Sequence, residues 1–341
     1  MAVTLPRLIG GNLLVLFALI LVTDLGARLV IGSKRYTLFE DPNLYVGGDR
    51  PFIVEHPTRG FSLQPGYSSP TITINDAGFR AGQSEDTLAV VIVLTLGEST
   101  TFGWSVRDDE TYPHYLEETL NASRTQKLRV INAGVPSYTS LQALIYLREL
   151  LPTIRPDVVV INEMWNDIWY SSIKNWFPEM LIWRRPKGWR TFLLKYSAVY
   201  RAIALRADDE AHEVDVFNER ALQYYVENMG LMLDECQKAG VAVLIAHPPF
   251  EPEHLQDRWP RAGQRRFSRD FIANLHDRYS AALESLAKQR GITLVTHDLM
   301  GSPKPYPSLF IDAIHPTASG NRRMAQAIAA AIEGQEVLDR G

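Results

Sequence analysis

Short, mostly apolar runs recur along the chain between longer segments that carry hydrophobic residues at helical spacing. The runs predict strands at 90–96, 127–132, 158–162, 241–246 and 292–295. The other segments predict helices at 111–122, 139–151, 215–238, 268–289 and 318–333. Apolar runs without polar alternation are typical of strands covered on both faces, as in a parallel sheet. The pattern therefore predicts an α/β domain over 88–335 with a doubly wound parallel sheet.

A different pattern precedes this domain. Residues 36–87 are rich in turn formers and short extended runs, which predicts a small β-rich segment. Within it, residues 71–74 alternate as a half-exposed strand does, and the Asn-Asp-Ala-Gly sequence at 75–78 is typical of a turn. Arg80 follows this turn. The default interpretation is an exposed arginine of a hairpin, and the alternative is a ligand for an anionic substrate group.

The N-terminus is strongly apolar. Residues 8–22 contain almost no polar side chain, although the run is shorter than the roughly 20 residues that usually span a bilayer. No good signal-peptide cleavage site follows. We expect residues 1–35 to form an uncleaved signal anchor with a transmembrane helix, in preference to a cleaved signal peptide or a buried amphipathic helix. Arg7 lies before the run, and Arg28, Lys34 and Arg35 lie after it, so charge does not decide its orientation.

Residues 165–200 interrupt the strand–helix rhythm with an aromatic-rich sequence. The span holds Trp165, Trp169, Trp176, Trp183 and Trp189, which are five of the seven tryptophans, and mixed with them the basic residues Arg184, Arg185, Lys187 and Arg190. Four interpretations stay open: an insertion with its own small core, a lid over the active site, a sugar-stacking surface, or a patch at a membrane interface.

Composition limits the classes of function. A net charge of −4 argues against binding of nucleic acid, which needs a concentrated basic face. The single cysteine excludes an internal disulfide and zinc clusters of the Cys-x-x-Cys type. No cofactor motif and no set of metal ligands is recognised, so neither a cofactor nor a metal is expected.

Residues of catalytic type follow three of the predicted strands and occur again in the loop just before the last predicted helix. They are Ser99, Gly134, Asn166, Asp167, Asp312 and His315. In a parallel sheet the carboxyl ends of the strands share one edge, so these residues can converge. A serine hydroxyl needs a base to act as a nucleophile at neutral pH, and an imidazole base needs a carboxylate to orient it. Asp312 precedes His315 by three residues, so one loop can turn the carboxylate toward the ring.

These residues resemble the four sequence blocks of the SGNH, or GDSL-like, serine hydrolases. The blocks correspond to 97–99, Gly134, 166–167 and 312–316, in the family's order, and the resemblance covers about residues 88–333. It implies a three-layer α/β/α sandwich of flavodoxin type. It also implies that Ser99 is the nucleophile, His315 its base and Asp312 the orienting acid. An oxyanion hole would then be formed by the backbone N–H groups of Ser99 and Gly134 and by the side-chain amide of Asn166.

Two residues depart from the family pattern. Glu98 stands where the family usually has aspartate, and Met164 stands where the third block usually has glycine. The segments at 97–106 and 75–80 also resemble those of a membrane-anchored bacterial branch.

The expected function is that of a serine esterase. The expected substrate is an acyl ester, most simply an O-acetyl ester, on a carbohydrate or lipid of the cell envelope. The expected location is a membrane, with the catalytic domain on the extracytoplasmic side. Two alternatives stay open, a polysaccharide O-acyltransferase that uses the same triad and a noncatalytic carbohydrate-binding protein of the envelope.

Overall fold

Alternating strands and helices account for most of the chain that the computed structural model describes. It describes residues 5–31, 52–82, 91–122, 124, 127–171, 178, 189, 193, 197–200, 203, 217–255, 268–297, 299 and 307–334. In chain order the helices are α1 (Leu5–Ile31), α2 (Ser99–Phe102), α3 (Tyr112–Asn121), α4 (Ser140–Ile154), α5 (Trp165–Ser171), α6 (Glu219–Ala239), α7 (Arg269–Arg290) and α8 (Ala318–Glu333). The strands are β1 (Ile53–His56), β2 (Gly60–Leu63), β3 (Val91–Gly97), β4 (Leu128–Gly134), β5 (Val158–Asn162), β6 (Ala242–Ala246) and β7 (Thr293–Val295).

Five of the strands form one parallel sheet in the spatial order β4-β3-β5-β6-β7. This is the flavodoxin-like order, in which the direction of winding reverses beside the first strand of the sheet. Gly97 at the end of β3 lies opposite Gly134 of β4 on one side and Asn162 of β5 on the other. The carboxyl ends of these three strands therefore meet at the switch point, where α/β folds bind ligands.

Helices cover both faces of the sheet, which confirms the predicted α/β fold with its parallel sheet. Val158 and Val160 of β5 pack with α3 and α8 on one face, and Val159 and Ile161 pack with the helices α4 to α7 on the other. All five side chains of β5 are fully buried. Burial on both faces explains why this strand shows no polar alternation.

Local capping sets the helix ends near the predicted boundaries. Side chains at the N-caps accept backbone N–H groups of α3, α6, α7 and α8; they are Thr111, Asn218, Ser268 and Thr317. Gly240 and Gly291 adopt the left-handed conformation that ends α6 and α7. The observed bounds of these helices lie within a few residues of those expected from the sequence.

The segment before the sheet differs in detail from its prediction. Strands β1 and β2 pair as an antiparallel hairpin. The predicted strand at 71–74 is wrong, because Thr73 and Ile74 form only isolated bridges, to Ser68 and Arg80. Turns on both sides leave the extended stretch too short to pair as a strand. Ile72 and Ile74 are nevertheless buried, as the alternation predicted.

The N-terminal residues form the single long helix α1. Among the residues that the structure describes, no helix combines the length and apolarity needed to cross a membrane, so the predicted transmembrane span is not confirmed. Asp24 near the end of α1 accepts hydrogen bonds from the Ser197 hydroxyl at 2.9 Å and from the Val199 N–H at 3.2 Å. The boundaries 1–35, 36–87 and 88–335 stay predictions.

The first tryptophans of the aromatic-rich span 165–200 lie in the core of the domain. Trp165 and Trp169 belong to α5 and are buried in the core, so the first residues of the span 165–200 are part of the domain. The Trp165 ring stacks on His276 at a centroid distance of 5.3 Å, and its N–H donates to the Pro249 carbonyl. Two further tryptophans of the span, Trp176 and Trp183, lie outside the described residues.

Candidate active site

Ser99 begins helix α2 directly after strand β3, so the chain reverses sharply at this point. Two glycines make the reversal possible. A Cβ on Gly97 would lie 2.0 Å from the Thr101 hydroxyl oxygen, and a Cβ on Gly134 would lie 2.2 Å from the Phe102 nitrogen. Glycine at 134 therefore lets α2 pack against the end of β4. This is a requirement of the fold, whatever role its N–H has toward a substrate.

The structure brings Ser99, His315 and Asp312 together in one hydrogen-bonded line. His315 Nε2 lies 2.8 Å from the Ser99 hydroxyl oxygen, and His315 Nδ1 lies 2.7 Å from Asp312 Oδ2. Ser99 is half-buried and the imidazole is buried. The arrangement is that of a nucleophile, its base and a carboxylate that orients the base.

Asp312 also shapes the loop that carries the histidine. Its Oδ1 accepts the backbone N–H groups of Ile314 and His315, both at 2.9 Å, while Oδ2 faces the ring. Burial raises the pKa of Asp312, but the neighbouring His315 charge and these hydrogen bonds outweigh it, so the pKa lies below its ordinary value. The carboxylate therefore stays ionised and can stabilise an imidazolium.

Backbone contacts fix the same loop against helix α8. The Ile311 N–H donates to the His315 carbonyl and the Thr317 N–H donates to the Leu309 carbonyl, both at 2.8 Å. Gly320 in the first turn of α8 faces Leu309 so closely that a Cβ would lie 2.4 Å from its carbonyl oxygen. The contacts with the first turn of α8 therefore fix the position of His315.

The three predicted oxyanion donors lie at the same sheet edge, but two of them already have acceptors. The Gly134 N–H donates to Asn132 Oδ1 at 3.0 Å. The Asn166 amide donates to the Glu98 carboxylate and, at 2.8 Å, to the Tyr138 carbonyl. The Ser99 N–H lies in the first turn of α2, where backbone donors have no acceptor within the helix. The oxyanion roles of Gly134 and Asn166 stay predictions.

Glu98 is the residue whose importance the sequence reasoning missed. Its fully buried carboxylate accepts the backbone N–H groups of Met164 at 3.3 Å, Trp165 at 2.7 Å and Asn166 at 3.0 Å, in addition to the Asn166 amide. Burial raises the pKa of Glu98 to about 8, although the N–H groups of Trp165 and Asn166 favour its charged form. Glu98 therefore joins the end of β3 to the start of α5.

Two more buried carboxyl groups lie beside this contact. Asp167 accepts the N–H of Ser140 at 2.7 Å and its hydroxyl at 2.6 Å, which anchors the start of α4, and burial raises its pKa to about 6. Both carboxylate oxygens of Glu163 are buried with no hydrogen-bond partner among the described residues. Burial, followed by the charges of Glu98 and Asp167, raises the pKa of Glu163 well above its ordinary value.

Arg80 is not the exposed hairpin residue that the sequence favoured. Its side chain is 0% exposed, and its guanidinium donates to the carbonyls of Phe102, Gly103 and Val106. Because these acceptors are backbone atoms, the sequence pattern could not predict these contacts. The alternative role, binding an anionic substrate group, conflicts with this full set of internal partners.

In the part of the chain that the structure describes, no three His, Cys, Asp or Glu side chains are grouped as a metal ion would require.

Comparison with known proteins gives a family match. The profile of the GDSL-like Lipase/Acylhydrolase family matches residues 95–323. No curated protein matches the chain.

The solved structures that match the chain include several esterases. The acetyl xylan esterase AlAXEase is 16% identical, with 71% of this chain and 100% of that chain covered and a TM-score of 0.45. TesA is 17% identical, with 71% and 98% covered and a TM-score of 0.45. A catalytic mutant of Axe2, an acetylxylan esterase from Geobacillus stearothermophilus, is 17% identical, with 73% and 96% covered and a TM-score of 0.46.

The buried Glu163 carboxyl gives a pH-dependent stability that can be measured. A carboxyl whose pKa is raised by folding contributes stability below its ordinary pKa, near 4.5, and loses it as the pH rises through the folded value. Glu163→Gln removes this titration at nearly constant shape. We expect the Tm difference, variant minus wild type, to be more positive at pH 8 than at pH 5 by about 2 °C or more, measured by thermal unfolding at both pH values.

The exposed Glu227 on α6 offers the matched control, because Glu227→Gln makes the same chemical change at the surface. Its Tm difference should be equal at the two pH values. An equal difference for Glu163→Gln would show that this carboxyl does not titrate abnormally.

Proposed function

Since the chain belongs to the GDSL-like lipase/acylhydrolase family and is a serine hydrolase acting on esters, we propose that it cleaves them through an acyl-enzyme on Ser99. The observation that carries this proposal is the continuous line from the Ser99 hydroxyl through His315 to Asp312, at 2.8 and 2.7 Å. Both distances are those of hydrogen bonds ready for proton transfer.

The proposed reaction has two halves. The Ser99 oxygen attacks the acyl carbon while its proton passes to His315 Nε2, and His315 then gives this proton to the departing alkoxide as the ester C–O bond breaks. A water molecule next attacks the acyl-enzyme and gives a proton to the same nitrogen. That proton returns to Ser99 as the acid leaves. Asp312 stabilises the imidazolium in both halves.

We propose that the oxyanion is held by the N–H of Ser99 together with Gly134 and Asn166. Asn166 has both amide hydrogens engaged, so it exchanges one acceptor when the oxyanion forms. The bond to the Tyr138 carbonyl is the one to be exchanged, because Glu98 Oε2 also accepts the backbone N–H of Asn166 and is therefore held beside the amide.

A decisive experiment replaces the nucleophile. For Ser99→Ala we expect hydrolysis of p-nitrophenyl acetate to fall by at least about 10³-fold, because attack by the hydroxyl is lost. A fluorophosphonate should label the wild-type chain and leave this variant unlabelled, as read by mass spectrometry. Ser285→Ala, a change at an exposed serine of α7, should leave labelling intact. Equal labelling of wild type and Ser99→Ala would contradict the assignment.

We propose a short acyl ester on a carbohydrate as the substrate, an O-acetyl group being the simplest case. Support comes from Trp104, whose half-buried ring lies beside His315 with centroids 6.3 Å apart. Its indole supplies an apolar wall where the alcohol leaves, suited to the face of a sugar ring.

This proposal predicts a substrate preference. Trp104→Ala should lower kcat/KM for an acetylated oligosaccharide at least about fivefold more than for p-nitrophenyl acetate, because only the former presents a sugar ring. Release of acetate measures both reactions. An equal loss of kcat/KM on the two substrates would contradict a contact between Trp104 and the sugar ring. Transfer of the acetyl group to an added oligosaccharide in preference to water would favour the acyltransferase alternative.

We also propose that α1 attaches the enzyme to a membrane, with the catalytic domain on the extracytoplasmic side. Support comes from exposed apolar side chains on α1, which are Val15, Leu19, Ile20, Leu21, Val22, Leu25 and Leu29, at 54–81% exposure. An alkaline phosphatase fused to the C-terminus should be active in intact cells, since this reporter folds only outside the cytoplasm. Activity of a cytoplasmic reporter at the same position, with an inactive phosphatase, would contradict the proposed side.

A further inference from the structure

The segment of residues 52–82 precedes the matched family region, which begins at residue 95, and yet contacts the turn that carries Ser99. Arg80 makes the central contact. Its side chain is fully buried, and every hydrogen bond that its guanidinium makes goes to this turn, to the loop after it or to the segment itself.

One side of the guanidinium faces the end of α2. Nη1 donates to the carbonyls of Phe102 at 2.8 Å and Gly103 at 2.6 Å, and Nη2 donates to the carbonyl of Val106 at 2.7 Å. The last carbonyls of a helix have no partner within it, and a cation near them is favourable. Arg80 therefore caps the C-terminal end of the helix that begins at Ser99.

The other contacts tie Arg80 back to its own surroundings. Nη2 also donates to the Thr71 carbonyl at 3.0 Å, and Nε donates to Asp108 Oδ1 at 3.0 Å. The same oxygen of Asp108 accepts the Thr73 N–H at 3.1 Å. The guanidinium carbon also lies 4.4 Å from the Phe102 ring centroid. Segment 52–82 and the loop after α2 therefore both hold the Arg80 side chain in place.

Helix α2 needs such a cap more than a long helix does. It has four residues, and a helix of one turn is not stable by itself. The Ser99 carbonyl accepts the N–H groups of Gly103 and Trp104, both at 3.0 Å. Fixing the carbonyls of Phe102 and Gly103 therefore fixes the backbone of Ser99 through one hydrogen-bonded turn.

A second contact joins the same segment to the oxyanion side of the site. Arg59 Nη1 donates to the Tyr138 hydroxyl at 2.8 Å, and that hydroxyl donates to the Phe61 carbonyl at 2.6 Å. The backbone carbonyl of Tyr138 accepts the Asn166 amide. Segment 52–82 thus contacts both sides of the candidate active site.

We propose that Arg80 is a positioning residue for Ser99, and that segment 52–82 is a working part of the catalytic unit. The inference rests on the proposed function of Ser99. Lysine can replace the charge of Arg80 but not its fork of donors, so Arg80→Lys loses the simultaneous cap on several carbonyls.

The test compares the reactivity of Ser99 in folded protein. In the full chain, Arg80→Lys should lower the second-order rate constant for fluorophosphonate labelling by at least about tenfold, because a small displacement of a nucleophile is costly. For p-nitrophenyl acetate, kcat should fall while KM stays within about twofold. Asp108→Ala, which removes the partner of Arg80 Nε, should lower the labelling rate in the same direction and by less.

Asp109→Ala is the matched control, because Asp109 is exposed and pairs with Arg107 on the surface. Its labelling rate should equal that of wild type. If the wild type is labelled and the labelling rate constant of Arg80→Lys lies within about twofold of the wild-type value, this inference alone is overturned. An unlabelled wild type would overturn the proposed function as well. If Arg80→Lys does not fold, Asp108→Ala decides, and an unchanged rate in that variant overturns the inference.

Discussion

The geometry of the candidate site depends on one buried carboxylate, that of Glu98. It stands between the end of β3 and the start of α5 and receives three backbone N–H groups and one side-chain amide. A buried carboxyl group is costly unless its oxygens are hydrogen-bonded, so the end of β3 and the start of α5 must be in place at once. Ser99 follows Glu98 directly, and Asn166 is one of its donors. The position of the Asn166 amide relative to Ser99 is therefore fixed by a carboxyl group that is not part of the triad.

A second buried acid, Asp167, fixes the neighbouring helix α4. Asp167 follows Asn166 and binds the start of α4 through the N–H and hydroxyl of Ser140, which in turn accepts the amide of Asn228 on α6. The Asn-Asp pair of the third sequence block thus has a structural role in this chain, since its acid anchors a neighbouring helix. Glu163 has no comparable partner among the described residues, and its burial shows how strongly this region favours the neutral form of a carboxyl.

The sequence was sufficient for features that depend on local pattern. The apolar runs located the strands because most of the strand side chains are buried, on both faces of the sheet. The spacing of Asp312 and His315 located a catalytic loop because three residues suffice to bring them together. It was not sufficient for Arg80 and Glu98, whose partners are backbone groups about 20 and 65 residues away. Backbone carbonyls and N–H groups look the same in every sequence, so only the fold reveals which of them a buried charge meets.

The two departures from the family pattern occur at one contact. Glu98 replaces the usual aspartate and Met164 the usual glycine, and the N–H of Met164 donates to Glu98 Oε1 at 3.3 Å. A longer acid reaches further along the start of α5, where three successive N–H groups are available to it. Met164 is fully buried, so its side chain fills space against the core that a glycine would leave empty. The substitutions are therefore best understood together, as one alternative way of holding Asn166 beside Ser99.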